Sequence, residues 1–447
     1  MTSHTEAGSC SCAHCPTQVS FELPERLIEA FIAGNVVIFA GAGMSTETRR
    51  VLPTTFYEEI LSGITAENAT GFAEVMTSFC ATRGRSELLL RLRRRFDLID
   101  SFPELRGPAT SFHRELSTVH LVQDIVTTNW DSYFERHCGA LPIVTDLDFA
   151  FWSLPVRKVY KIHGSINNVG TIVATEEDYR KCYRRLRDGV LGASLKLMLA
   201  TKTLVFVGYS LRDDDFNRIY NYLKRDMGEL LPRSYLVTLS DRPRDNGFQQ
   251  LTTIQTDGTF FITCVKKRLV ELGIMLPDRL LDEVDESHET IRNQHRHMHE
   301  EFPLATYPDL IYAASYQDGL MHALQRMVTR CSTGYYSHRC NVEAVMREYK
   351  VLYEQALSAE NYWDAAYLRG YAVGLSFLLV GDEQRKQLPV YFVFGSDKEL
   401  VTVEDFRREL DRAASLHTQA HEEALRLVQG AESGTELYHP PHFGPWA

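Results

Sequence analysis

The chain has 447 residues, too many for one ordinary hydrophobic core, so two domains are expected. Its net charge of −11 argues against a protein whose main work is wrapping nucleic acid, and direct nucleic-acid binding is not expected. No apolar run approaches the roughly 20 residues of a membrane helix, and nine cysteines in this length fit a reduced, cytoplasmic setting better than a disulfide scaffold.

The polar start, MTSHTEAGSCSCAHC, lacks the apolar stretch of a secretory leader, and residues 1–20 read as a disordered tail. Cys10, Cys12 and Cys15, with His4 and His14, could hold zinc, but the second half of a CxxC…CxxC pattern is missing. LPERLIEAFI (23–32) has helical spacing and feeds VVIFA (36–40), a short apolar block of the kind that forms a buried parallel strand. Residues 55–120 are helix-like, punctuated by Gly63, Gly71, Pro103 and Pro108. DIVTTNWD (124–131) is a second β-branched strand that runs into a helix. VRKVYKI (156–162) is a third and ends at His163-Gly164. A helical insert over 176–200 precedes the apolar strand TLVFVGYS, and SYLVTL adds one more. Strands alternating with helices imply a doubly wound parallel sheet of Rossmann type carrying a helical insert. RLRRRF (91–96) and YRKCYRRLR (179–187) are basic clusters. Such clusters are usually solvated helix faces, with phosphate binding as the alternative.

After about residue 275 the strand–glycine edges give way to long charged helices, and 285–447 reads as a mostly α-helical domain. DEVDESHETIRNQHRHMHEE looks like an exposed linker helix, although His288, His295 and His299 would share one face and could bind a metal. MREYKVLYEQALSAENYWDAAYLRGYAVGLSFLL reads as a helical hairpin, and LPVYFVFG (388–395) as the one β-like block of this region. Thr402 should cap a long helix with Phe406, Leu410, Ala413, Ala420, Ala424 and Leu427 on one stripe and Gly430 at its end.

In an open α/β sheet, ligands bind at the carboxyl ends of strands. Gly41-Ala42-Gly43-Met44-Ser45, TTNWD, KIHG and GYS all fall at such ends, so they should converge on one cleft. Ala40 to Ser45 would approach phosphates through backbone N–H groups, with Gly208, Tyr209 and Ser210 on the opposite wall. Asn129 and Asp131, beside Thr128, could hold ribose hydroxyls and orient a water. An Asx turn capping the next helix is the other reading of this pair. His163 stands where a general base would be useful.

These four motifs, in this order, resemble the motif series of the sirtuin superfamily over roughly residues 24–275. Within it the chain is similar to the bacterial sirtuin-like NAD hydrolases of antiphage defence, with HRELSTVH, ATEEDY and Asp213-Asp214-Asp215 as supporting details. Protein-deacylating sirtuins carry a four-cysteine zinc module between the His-Gly motif and the last glycine strand. Residues 165–207 hold only Cys182, and the stretch after GAGMS reads TETRRVLPTTF rather than the deacylase pattern. The resemblance therefore implies a catalytic domain over 21–278 that cleaves the nicotinamide–ribose bond of NAD+ without a metal. Asn129 would position water or ribose, Asp131 would hold the ribose or the local loop, and His163 would serve as base. Transfer of ADP-ribose to a protein, deacylation, and non-catalytic sensing of NAD or ADP-ribose are the competing classes. An activity that empties a cell of NAD+ needs a gate. The resemblance points to homo-oligomer assembly, or to a partner such as a HerA-like ATPase, through the helical domain.

Overall fold

A computed structural model describes residues 17–64, 71–209, 214–240, 251–330 and 333–432. The chain divides into two compact units between Leu272 and Gly273.

The first unit is built on one sheet whose pairings are all parallel. Its strands are β1 (Val36–Ala40), β2 (Asp124–Thr127), β3 (Leu141–Ile143), β4 (Lys158–Lys161), β5 (Thr203–Val207), β6 (Ser234–Thr238) and β7 (Leu251–Gln255), in the spatial order 3-4-2-1-5-6-7. β1 lies at the centre with all five residues buried, which is why it carries no polar alternation. The chain winds outward from β1 on one side through β2 to β4, then crosses back to β5 on the other. This makes the β1 edge the topological switch point, where the doubly wound fold opens a crevice. Strand register aligns the ends: Ala40 pairs with Thr127 and with Val207, and Thr127 pairs with Lys161. The residues that leave β4, β2, β1 and β5 therefore emerge in one row, spanning about 14 Å at the usual strand spacing.

Helices cover the sheet: α1 (Glu25–Ile32), α2 (Phe56–Ser62), α3 (Phe72–Arg83), α4 (Arg85–Ser101), α5 (Pro103–Ser117), α6 (Tyr133–Cys138), α7 (Glu176–Asp188), α8 (Val190–Thr201), α9 (Asp214–Met227) and α10 (Gly258–Glu271). The expected insert is two helices. Thr175 and Asp178 form a capping box at the start of α7, and extended Gly189 separates it from α8. Pro108 punctuates nothing: it lies inside α5, while Pro103 opens that helix at its first position, where its missing N–H costs no bond.

The second unit contains α11 (Arg279–Glu301), α12 (Leu310–Arg330), α13 (Arg339–Ser358), α14 (Tyr362–Ser376), the single turn α15 (Asp382–Arg385), α16 (Val403–Leu410), the single turn α17 (Ala413–Leu416) and α18 (Thr418–Glu432). The expected linker helix is α11, and it is a core helix. Leu280, Val284, Ile291 and Met298, spaced by four and seven, are buried under a charged exterior. Backbones of α12 and α14 touch, because a Cβ on Gly370 would stand 1.9 Å from the Tyr316 carbonyl oxygen and one on Gly319 2.1 Å from that of Tyr367. The single long helix after Thr402 is also corrected. Thr402 caps only α16, the chain leaves helical geometry at His417, and Gly430 lies within α18. The stripe divides accordingly: Phe406, Leu410 and Ala413 enter one hydrophobic cluster, Ala420 and Ala424 another. LPVYFVFG is no strand. It makes one isolated bridge, Tyr391 to Leu400, and is held by burying Tyr391, Val393 and Phe394.

Candidate active site

A cavity of about 1610 Å³ lies at the carboxyl ends of the central strands, larger than the roughly 300–1,000 Å³ of an ordinary small-molecule pocket. Gly41, Ala42 and Gly43 after β1, Thr128, Asn129 and Asp131 after β2, His163 after β4, and Gly208 and Tyr209 after β5 all line it. Ala40 is buried within the strand, Ser45 is fully buried behind the lining, and Ser210 lies outside the described residues.

The glycines are dictated by the approach of two turns. A Cβ on Gly41 would stand 2.4 Å from the Gly208 carbonyl oxygen, and Gly208 itself sits at φ +59 with Met44 Cγ 2.6 Å from its own missing Cβ. Met44 thus fills space between Gly208 and Gly258 and does not reach the cavity. The cost falls on the backbone donors. Gly41 N–H donates to Val207, Gly43 to Gly208, Met44 to Gly41 and Ser45 to Ala42, so within this turn only the Ala42 N–H is unspent. The expected ring of phosphate-facing N–H groups reduces to one, because the others close the turn.

A chain of hydrogen bonds fixes Asn129. Its backbone N–H donates to Thr127 Oγ1 at 3.0 Å, and its Nδ2 donates to the Gly41 carbonyl and to Ser45 Oγ, each at 3.2 Å. Ser45 Oγ in turn donates to Asp131 Oδ2 at 2.9 Å. With both donors of the amide directed into the fold, Asn129 Oδ1 remains a buried acceptor without a protein partner among the described residues. A buried acceptor left unpaired costs about 1–3 kcal/mol, so it calls for a donor from water or a bound hydroxyl. Asp131, 3 % exposed, is committed elsewhere: Oδ2 holds Ser45, and Oδ1 accepts from the Tyr133 N–H at 3.2 Å in the Asx turn that begins α6. Below it, fully buried Lys161 pairs with Glu135 at 3.1 Å and donates to the Asp131 carbonyl. Burial pushes the Glu135 carboxyl up, against the pull of Lys161.

His163 is 4 % exposed and lines the cavity, with the Tyr179 ring of α7 edge-on at 5.1 Å. Its carbonyl accepts from Trp130 Nε1 at 3.1 Å and from the Val173 N–H at 3.0 Å, which ties the His-Gly turn to the residue after Asn129. Gly164 follows at φ +86, where a Cβ would stand 2.1 Å from the Thr171 carbonyl oxygen. No other residue type could leave β4 along this path.

Sequence reasoning missed the walls of the cavity. Phe56 of α2, Phe72 of α3 and Trp130 form an aromatic side, with Trp130 6.1 Å from Phe56 and 6.0 Å from Phe72. Glu47 also lines the cavity, its carboxyl raised by burial despite Arg95 at 3.3 Å. α7 adds Tyr179, Arg180, Tyr183 and Arg184. The basic run had pointed to this helix, but only the fold shows which of its arginines face inward. Among the described residues no group of three His, Cys, Asp or Glu side chains is arranged to hold a metal. On α11, His295 instead bonds Gln317 Oε1 at 3.0 Å. The N-terminal cysteines lie outside the described residues. No described helix is long and apolar enough to cross a membrane.

A parallel sheet with a glycine turn at its switch point, and an Asn and a His on neighbouring strand ends, defines a sirtuin-like α/β domain. Residues 123–260, within the first unit, match the model of the SIR2-like domain. The chain is similar to the NAD(+) hydrolase ThsA of Enterococcus faecium, 28% identical over 214 residues, which cover 45% of this chain and 42% of that protein. It is also similar to the ThsA of Cytobacillus dafuensis, 27% identical over 216 residues, covering 46% of this chain and 42% of that protein. With the Defense-associated sirtuin 2 of Bacillus subtilis it shares 20% identity over 239 residues, half of this chain and 23% of that protein. The chain thus spans less than half the length of each of these relatives.

Proposed function

We propose that the first unit hydrolyses NAD+ to nicotinamide and ADP-ribose. The observation that carries this reading is the unpartnered Asn129 Oδ1, fixed by its own amide's bonds and standing with His163 in a cavity large enough for a dinucleotide. The names of the ThsA relatives support it. The C1′–N bond of the nicotinamide riboside breaks, nicotinamide leaves with the bonding pair, and C1′ develops oxocarbenium-like charge. Asn129 Oδ1 accepts from the incoming water or a ribose hydroxyl and so sets its direction. His163 takes the proton released when the water oxygen bonds C1′. Asp131 acts one step back, holding Ser45, which holds the Asn129 amide. Water, NAD+ and the enzyme yield ADP-ribose, nicotinamide and a proton. In a cytoplasmic setting the outcome is NAD+ depletion, the endpoint of an abortive-infection defence. Self-assembly, or docking of a HerA-like ATPase, through the helical second unit gates it.

The test incubates the full-length protein with labelled NAD+, alone and with candidate partners. Free nicotinamide and ADP-ribose should form, and Asn129→Ala and His163→Ala should each lower release by roughly 100-fold or more. Label retained on protein would turn the reading to transfer, and tight binding with no turnover under any condition would turn it to sensing. Light scattering of the full-length protein reads the assembly proposal, and a monomer both before and after activation would defeat it.

A further inference from the structure

The cationic side of the cavity is supplied by one helix face. Among the described residues lining the cavity, the Lys and Arg side chains are Arg180 and Arg184, one turn apart on α7. The other cations of that helix are already bound to the protein. Lys181 pairs with Glu177 at 2.7 Å, Arg185 donates to the Ile162 carbonyl at 2.6 Å, and Arg187 pairs with Asp188 at 2.7 Å. Arg180 and Arg184 have no side-chain hydrogen bond or close ion pair to the described residues, although Glu176 stands one turn before Arg180 in the lining and the neighbouring Glu177 carboxylate feels the Arg180 charge. The rest of the lining is acidic or neutral, with Glu47, Glu74, Asp131, Glu176 and Glu177 contributing carboxyl groups.

That distribution meets a need created at the glycine turn, which lines the same cavity. In the glycine turn, four of five backbone N–H groups are consumed, two by Val207 and Gly208 and two within the turn, and only that of Ala42 is left. One N–H cannot neutralise a diphosphate in a cavity edged by carboxylates. Guanidinium groups present planar, paired donors that match phosphate oxygens and stay charged at any working pH. Tyr179, directly before Arg180 in α7 and also in the lining, meets the His163 ring edge-on, so this helix brings the two arginines into the cavity that holds His163.

We propose that Arg180 and Arg184 clamp the diphosphate of the dinucleotide, replacing backbone donors that the glycine turn has spent; this rests on the NAD+ reading above. The experiment uses the full-length protein, Arg180→Gln, Arg184→Gln and the double variant. It measures NAD+ kinetics, and calorimetric binding of ADP-ribose at low and high salt. The double variant should raise KM for NAD+ at least tenfold with kcat within about threefold, and should weaken ADP-ribose binding by the same factor. Wild-type ADP-ribose binding should weaken with salt, and the double variant should lose most of that dependence. The double variant Arg180→Lys, Arg184→Lys should recover part of the affinity. Unchanged ADP-ribose affinity in the double variant overturns the clamp, as does a fall in kcat with KM unmoved. Wild-type protein that binds ADP-ribose but never releases nicotinamide would sink the hydrolase reading while leaving the clamp to be judged on binding. Protein that neither binds nor turns over would sink both.

Discussion

Replacing Ser45 by alanine removes a hydroxyl that touches no substrate in the proposed reading, yet it should injure the site through Asn129. The hydroxyl is fully buried, donates to Asp131 Oδ2 at 2.9 Å and accepts from Asn129 Nδ2 at 3.2 Å. A hydrogen bond to a charged group contributes about 1.5–3 kcal/mol. The Asn129 side has less at stake, because Nδ2 keeps the Gly41 carbonyl. Taking about 2 kcal/mol in total, the unfolding midpoint of the first unit should fall by roughly 4–8 °C. Nicotinamide release should fall further than stability suggests, by about 10- to 100-fold, because an amide held at one point no longer presents Oδ1 in a fixed direction. Calorimetric melting, read separately for each unit, and a nicotinamide-release assay check both numbers. The decisive measurement is the cycle with Asn129→Ala: once Asn129 is gone, Ser45→Ala should cost almost no further activity. Full additivity would show that Ser45 does not act through Asn129, and a midpoint within about 1 °C of wild type would show that the buried bonds contribute little.

Gly208→Ala should destabilise the first unit by about 2 kcal/mol or more, since it combines a left-handed backbone with a Cβ 2.6 Å from Met44 Cγ; thermal melting reads this, and an unshifted midpoint would mean the two turns can separate freely. In the second unit, Gly370→Ala should cost about 1–3 kcal/mol by forcing α12 from α14, visible as a lowered midpoint of that unit's transition. His113 is fully buried among Phe112, Tyr133 and Phe134, and burial depresses its pKa to about 4. Because the unfolded state binds the proton more readily, the stability due to neutral His113 is complete above pH 6.5 and is lost as pH falls from there to about 4, by about 3 kcal/mol in all. His113→Phe should therefore show a shallower loss of melting temperature between those pH values than wild type, and parallel curves would refute the assignment.

The four strand-end motifs were readable because each stands on local chemistry. A buried parallel strand must be an apolar run, and two chains that meet at a switch point need glycine, so VVIFAGAG and TLVFVGYS announce themselves without neighbours in view. His163 and Asn129 were visible by the same logic, as polar residues at the ends of such runs. The sheet edges were not: β3 has three residues and includes a proline, too short for any periodic signal, and it exists only because β4 lies beside it. The long C-terminal stripe was misread because apolar period records which residues are buried, not against what. Its halves serve two clusters, and the break at His417 follows from that division.

Amino-acid order alone determined the class of fold, the central strands and the residues that leave them, because strand burial and turn geometry are set by neighbours a few positions apart. Which groups remain for a ligand was decided only by tertiary structure. Closing the glycine turn on itself and against Val207 and Gly208 consumed the backbone donors, the bonds to Gly41 and Ser45 left the Asn129 carbonyl oxygen without a partner among the described residues, and the packing of α7 placed Arg180 and Arg184 rather than their neighbours on the cavity. A hydrogen-bonding group is available only when every nearer partner has been counted, and those partners lie as far as 166 residues away, from Gly41 to Val207.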